Sequence, residues 1–600
     1  MGIRSPQPAV AFIPAAGRGR PARTGGSAPP PGQECLRYTT NALKTLACSL
    51  CFSTVYFCST ALAQTQPVEI RVNAAASQGA FHPLYDYFGY DEPNYTYAAN
   101  GKKLIAELGA LGPVRAQIRA HHLLVTGDGT PAMKWGSTNV YTVDAKGQPV
   151  YDWTIVDRIF DTYMQANARP FVEIGFMPEA LSRTPEPYTR HWPTPDDGKG
   201  WAEPPKDYAA WGELVYRWVV HSVDRYGKAE VEQWSWELWN EPDISYWRGT
   251  PEEYDKLYDY TAAALKRALP TARVGGPGTT GPGPAGSKSA AYLKQFLEHC
   301  AHGVNAVTGK TGAPLDFISY HDKGAPRVLE GRVRMGLRNQ LLSVQRGLDI
   351  IKDYPAYRAL PIVLSESDPE GCAACVASQH PENGYRNTTL YPSYTAAAME
   401  GILQLADRYH ANIAGMLTWA FEFEGQPYFE GYRTLATNGI DKPILNLFRM
   451  AGLMRGDRVE LKSAGAVPLD TVLQGGVQGA PEIDGIATRA EHEIAVLVWN
   501  YHDVDVPAPA SPVHLTIAGA PAARVLVEHY RIDETHSNAY TAWKQMGSPQ
   551  QPTPEQYAAL ESAGQLQLLT SPEWRAAANG QVGLAFDLPR QAVSLLRITW

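Results

Sequence analysis

The sequence predicts an α/β protein, a (β/α)8 TIM barrel with an accompanying β-sandwich domain. Three observations carry that reading. The chain has 600 residues, room for a large barrel and a companion. From about residue 80 to 450, short apolar runs alternate with amphipathic helical stretches, the pattern of a parallel sheet wrapped by helices. After about residue 450 the texture shifts to short strands separated by Pro/Gly-rich turns, as in a sandwich. No apolar run is followed by a GxGxxG loop, which disfavours a doubly wound sheet.

Residues 1–34 are rich in Pro, Gly, Arg and Ala without periodicity and are expected to be disordered. Arg37 and Lys44 then precede an apolar run that begins at Leu46 and is closed by Ala61-Leu62-Ala63. A basic flank, a short apolar run and a small-x-small exit match an export signal cleaved between Ala63 and Gln64, for a periplasmic or secreted protein. The run is too short and too polar for a good membrane span. Residues 1–63 are thus extension and signal, and 64–79 hold a strand, Val68–Ala74, that joins the sandwich.

The barrel, residues 80–450, contains strand candidates at Val114–Ala120, Pro170–Met177, Gln233–Trp239, Arg273–Gly276, Asp316–His321, Ile362–Ser365 and Ala414–Ala420. Helix candidates are Gly101–Leu108, Thr154–Asn167, Tyr208–Tyr226, Pro251–Ala268, Ala290–His299, Gly336–Tyr354 and Ser393–Ala406. Residues 451–600 hold the sandwich strands, at Val459–Lys462, Ile483–Arg489, Ile494–Tyr501, Val513–Ala518, Arg524–Tyr530, Leu566–Leu569, Val582–Asp587 and Ala592–Thr599.

Composition narrows the function. With 44% apolar and 19% charged residues the chain is neither disordered nor collagen-like. Six cations in residues 1–63 face only Glu34, so the remainder is more acidic than the overall net charge of -8. An acidic body without a basic run argues against nucleic acid and against an anionic membrane surface. Fifteen Trp and 32 Tyr against 15 Phe supply flat faces with hydrogen-bonding edges, which suit sugars. Of seven Cys, only Cys300, Cys372 and Cys375 lie beyond the leader, so disulfides do not build the fold. Cys372-Ala-Ala-Cys375 is open to a short loop bridge, two free thiols, a redox pair or half of a zinc site.

Active sites of such barrels lie at the carboxyl ends of the strands. That rule selects Arg119, His121, Glu173, Asn240, Glu241, His321, Lys323, Glu366, Trp419 and Glu422. Two carboxylates on different strands are what glycoside cleavage needs, one to protonate the departing oxygen and one to attack the anomeric carbon. Glu241, in Trp239-Asn-Glu-Pro242, and Glu366 fit. Asn240 can bind a sugar hydroxyl beside the reacting carbon. Glu173 has an alternative as a core partner of Arg119, and His321 as a satisfied core histidine. No HExxH is present and the His residues show no ligand spacing, so neither a metal nor another cofactor is expected.

Glu237-Leu-Trp-Asn-Glu-Pro242 resembles the acid/base strand of retaining glycosidases and is most similar to glycoside hydrolase family 39, the β-xylosidase and α-L-iduronidase family. Arg119-Ala-His121, Arg169-Pro-Phe-Val-Glu-Ile-Gly-Phe-Met-Pro178, Asp316-Phe-Ile-Ser-Tyr-His321 and Gly439-Ile-Asp-Lys-Pro-Ile444 resemble other barrel segments of that family. Val496-Leu-Val-Trp-Asn-Tyr501 and Leu588-Pro-Arg-Gln-Ala-Val593 resemble its sandwich. The resemblance implies double displacement, with Glu241 as acid/base and Glu366 as nucleophile. Sugar-facing roles are expected for Asn240, His121, Glu173, His321, Lys323, Trp419 and Glu422. Asp322-Lys-Gly324 and Glu366-Ser-Asp-Pro369 are closer to the iduronidase loops. Lys323 either meets a uronate carboxylate or pairs with Asp368 or Glu422.

The reading reached is an exo-acting β-xylosidase that releases xylose from xylo-oligosaccharides, with possible α-L-arabinosidase side activity. The alternatives are an α-L-iduronidase-like or other uronate-releasing glycosidase, and a non-catalytic carbohydrate-binding protein.

Overall fold

The computed structural model describes residues 66–189 and 199–600. The expected extension, export signal and cleavage point lie outside the described residues. Eight parallel strands close into a barrel in chain order, Tyr87–Tyr90, Gln117–Ala120, Arg169–Ile174, Ser235–Leu238, Arg273–Thr279, Phe317–Lys323, Ile362–Asp368 and Ile413–Trp419. The last pairs back onto the first, Leu417 opposite Tyr87 and Trp419 opposite Gly89. Seven of these strands fall on predicted runs. The first, Tyr87–Tyr90, has no counterpart among them, because four residues in a stretch rich in Tyr, Asp and Pro carry no Val/Ile signal. Its Gly89 is required by packing, since a Cβ there would lie 2.5 Å from the Trp419 ring.

The helices wrap the barrel through apolar faces, and local chemistry sets several starts. Asp207 caps helix Tyr208–Tyr226 by accepting from the Ala209 and Ala210 amides. Thr250 and Glu253 form a capping box ahead of helix Pro251–Ala268, with Pro251 in the first turn. Trp211, Trp218, Trp234 and Trp236 are fully buried, so much of the Trp excess fills the barrel's core. No helix among the described residues is long and apolar enough to cross a membrane.

The second module is one ten-stranded sheet that curls over on itself. Val513, Leu515 and Ile517 from one end share a core with Val525, Val527 and Ile598 from the other. Strand Glu493–Tyr501 shows how both faces are used. Ile494, Val496 and Val498 point into the sandwich, whereas Ala495, Leu497, Trp499 and Tyr501 join the barrel's core. Strand Val68–Ala80 pairs with Asp457–Ser463 on one side and Ser511–Ala518 on the other. Beyond the short helix Leu469–Gly475, two further helices, Ala539–Gln545 and Pro554–Gly564, interrupt this module where only strands are predicted. The second starts at a capping box formed by Thr553 and Gln556, and its Tyr557 hydroxyl donates to Asn438 O at 3.1 Å, beside the barrel's exit.

Candidate active site

At the carboxyl end of the barrel, a cleft of about 470 Å³ is lined by Asn240, Glu241, Glu366, His121 and Trp419 from the sequence-selected set. Asp91, Lys134, Tyr246, Gly371 and Cys372 complete it. A larger groove, about 1000 Å³, opens among the sandwich strands around Thr516, His529 and Phe586, away from these carboxylates.

Glu241 is delivered by a sharp turn. Trp239 and Glu241 have φ of 70° and 43°, in the left-handed region that costs a residue with a Cβ steric energy. The turn is held by the Glu241 amide donating to Gly278 O at 2.8 Å and by the Trp239 indole N–H donating to Tyr246 O at 2.9 Å. Glu366 sits within the seventh strand, whose register places His321 opposite Glu366 and Lys323 opposite Asp368. One atom each from Glu241, His321 and Glu366 lies within 4.8 Å of the other two. Such a trio could hold a metal ion. The Lys323 ammonium, 2.9 Å from Glu366, and the Arg119 guanidinium, 3.5 Å away, already supply positive charge there.

Beneath the cleft, the fully buried Arg119 organises an ion cluster that reaches up to Glu366. It reaches Glu237 at 2.5 Å, Glu173 at 3.0 Å and Glu366 at 3.5 Å, and donates to Asn240 Oδ1 at 3.2 Å. Because the guanidinium only donates, it commits the Asn240 oxygen and leaves the Asn240 amide N–H groups for other acceptors. Burial pushes Glu173 up to about 7, against the charges of His121 and Arg119. Burial would push Glu366 up as well, but His321, Lys323 and His121 outweigh it and hold this carboxyl well below the usual carboxylate range. His121 faces Glu366 and Glu173 through Nε2, at 3.5 Å and 3.1 Å, and Asp91 through Nδ1 at 2.8 Å. Its ring lies 4.2 Å from that of Trp419.

Five sequence-selected residues do not line the cleft, the first being Arg119, fully buried beneath it. Glu173 lies below it, paired with Arg119 and His121. His321 is fully buried behind Glu241, 3.0 Å from its Oε1. Lys323 bridges Glu366 and Asp368, the latter at 3.8 Å, rather than reaching Glu422. Glu422 is a correction, because its carboxylate turns away to accept from the Gly439 amide. Three residues past the strand end, the chain has already bent toward the Gly439 loop, and burial pushes Glu422 up to about 8. Cys372 and Cys375 form a disulfide, so one of the readings open to that pair is realised. It closes a short loop whose Cys372 lines the cleft, and the fully buried Arg386 donates to the carbonyls of Cys372 and Cys375.

Asp91, Lys134 and Tyr246 escape the sequence reading. Asp91 directly follows Tyr90, so the strand-end rule finds it once Tyr87–Tyr90 is recognised as a strand. Lys134 and Tyr246 sit in loops without periodicity, and no sequence signal marks them.

The family model of the glycosyl hydrolases family 39 matches residues 117–581. The β-xylosidase of Caldicellulosiruptor saccharolyticus is 28% identical over 453 residues, covering 74% of this chain and 82% of that protein. The mouse α-L-iduronidase is 26% identical over 535 residues, covering 83% of this chain and 76% of that protein. The crystal structure of a monomeric β-xylosidase from Caulobacter crescentus superposes with a TM-score of 0.69 at 22% identity, covering 88% of this chain and 99% of that one. Fold, paired carboxylates and family match agree, and the chain belongs to the glycosyl hydrolases family 39 as a glycosidase.

Proposed function

We propose that this glycosidase is a retaining, exo-acting β-xylosidase that releases xylose from xylo-oligosaccharides and accepts α-L-arabinosides as a side activity. The observation that carries retention is the pair Glu241 and Glu366, with one oxygen of each no more than 4.8 Å apart. Retaining pairs stand about 5–5.5 Å apart, inverting pairs about 6.5–9.5 Å. Glu366, held ionised, attacks the anomeric carbon while Glu241 gives its proton to the departing glycosidic oxygen. Glu241, now a carboxylate, then takes a proton from a water that displaces Glu366 and restores both groups. The free N–H groups of Asn240 face the ring hydroxyl beside the reacting carbon, and Trp419 backs the ring.

The preference for an uncharged ring rests on charge. Lys134 is paired with Asp91, and Lys323 with Glu366 and Asp368, so neither offers an uncompensated cation to a uronate. The β-xylosidase relative supports the same ring. A second reading, uronate release, is favoured by the Asp322-Lys-Gly324 loop and the iduronidase relative. Assays on p-nitrophenyl β-xyloside, p-nitrophenyl α-L-arabinoside and 4-methylumbelliferyl α-L-iduronide separate the two. Xyloside hydrolysis with β-xylose as the first-formed anomer in proton NMR is expected. Turnover of the iduronide alone would overturn the assignment. Export to the periplasm or medium belongs to the same proposal, supported by the leader composition and by the Cys372–Cys375 disulfide.

A further inference from the structure

Two charged residues that line the cleft have no task in the reaction just described, Asp91 and Lys134. Asp91 follows the first barrel strand. Lys134 arrives from the long excursion between strand Gln117–Ala120 and helix Thr154–Gln165. Their side chains form an ion pair, with the Lys134 ammonium against Asp91 Oδ2. The other oxygen, Oδ1, lies 2.8 Å from His121 Nδ1, and the opposite ring nitrogen of His121 faces Glu366 at 3.5 Å. The pair is therefore one imidazole away from the nucleophile. Both residues line the same cleft as Glu366, within which a sugar reacting at Glu366 must place its other ring hydroxyls.

Lys134 is held there against its own backbone preference. Its φ of 56° lies in the left-handed region, which disfavours a residue with a Cβ. Its amide donates to Glu92 Oε1 at 2.7 Å, and its side chain is only 7% exposed. Strained residues fixed by their surroundings cluster where geometry matters to function.

We infer that Asp91 and Lys134 form a clamp that reads the vicinal 3- and 4-hydroxyls of the terminal sugar. The carboxylate accepts from one hydroxyl, and the ammonium donates to its neighbour. Since each cancels the other's charge, the clamp suits a neutral diol and gives a uronate no net attraction. The inference rests on the glycosidase reading of the cleft and deepens it by naming the part of the sugar that is recognised. Neither residue touches the reacting atoms, so both set specificity.

The test compares p-nitrophenyl β-xyloside with its 3-deoxy and 4-deoxy analogues in the wild type, Asp91→Asn and Lys134→Met. In the wild type, loss of either hydroxyl should lower kcat/KM about 10- to 100-fold, the range for a hydrogen bond to a charged group. In each variant that penalty should shrink to a fewfold, because the partner is already gone. A residue that merely held His121 in place would lower kcat/KM for all three substrates equally. Penalties of the same size in the wild type and both variants, or a wild type indifferent to either deletion, would overturn the clamp. Should Asp91→Asn fail to fold, Lys134→Met carries the comparison. If the xyloside is not turned over at all, the ring assignment has failed, and the same comparison is run on deoxy analogues of the sugar that is accepted.

Discussion

His321 Nδ1 lies 3.0 Å from Oε1 of Glu241, so the proposed acid/base leans on a ring that is itself fully buried. His321 does not line the cleft, so the role expected of it is to position Glu241. His321→Asn should lower kcat by about 100-fold for substrates with poor leaving groups, the scale of a misplaced catalytic group. The loss should be much smaller for dinitrophenyl xyloside, whose leaving group needs little protonation. A leaving-group series in both proteins checks this. A uniform loss across the series would indicate a general structural defect.

Lys323 contacts Glu366 at 2.9 Å and helps to keep it ionised. As the proposed nucleophile, Glu366 works only as the anion, so activity should fade as pH falls through its titration. Removing the ammonium withdraws an opposite charge and lets burial raise that titration. Lys323→Met should therefore move the acid limb of the kcat/KM profile to higher pH while leaving the alkaline limb in place. Rate measurements between pH 3 and pH 9 read the shift directly.

Among the described residues, Arg119 is the one guanidinium that reaches Glu237, Glu173 and Glu366 together. Arg119→Met would strand buried carboxylates without a partner, a loss worth about 3–5 kcal/mol of stability. Urea unfolding should show a lower midpoint with an unchanged slope. Glu173→Gln in the same background should recover part of it, because a neutral amide asks less of the missing charge.

Glu482 is buried where the sandwich meets the barrel, and burial pushes it up to about 8, with Asp484 nearby pushed up to about 6. The folded protein thus keeps a proton that the unfolded chain releases above its ordinary carboxyl value, about 4.3. Stability from this group is fully present below that value, falls as pH rises, and is lost above about 8. Glu482→Gln retains an acceptor for the Trp499 indole N–H, now at 3.0 Å, and removes the titration. Thermal melts at pH 5 and pH 8.5 should show a drop for the wild type that is smaller by several degrees in the variant.

The barrel was legible because buried parallel strands leave apolar runs, and the strand-end rule then led to Glu241, Glu366, Asn240 and His121. Its failure at Asp91 follows from Tyr87–Tyr90, where aromatic packing against Trp419 and Phe448 replaces the branched aliphatic signal. Glu422 failed for another reason, since a position in sequence just past a strand does not fix the side chain's direction. Helix Pro554–Gly564 carried a readable capping box that the surrounding strand texture masked. Lys134 depends on loop geometry, which no local pattern encodes.

Strand Val68–Ala80 joins two parts of the sheet, with seven strands on one side and two on the other, yet it precedes the whole barrel in the chain. In topological terms the barrel is inserted into the sandwich. During synthesis this strand must wait for both Asp457–Ser463 and Ser511–Ala518 to emerge, leaving two unpaired edges open to wrong partners. A fragment cut after residue 455 would lack the strand that unites its sheet. A circular permutant that moves Val68–Ala80 behind Thr599 would instead deliver all ten strands as one uninterrupted stretch, and should refold the module with less aggregation.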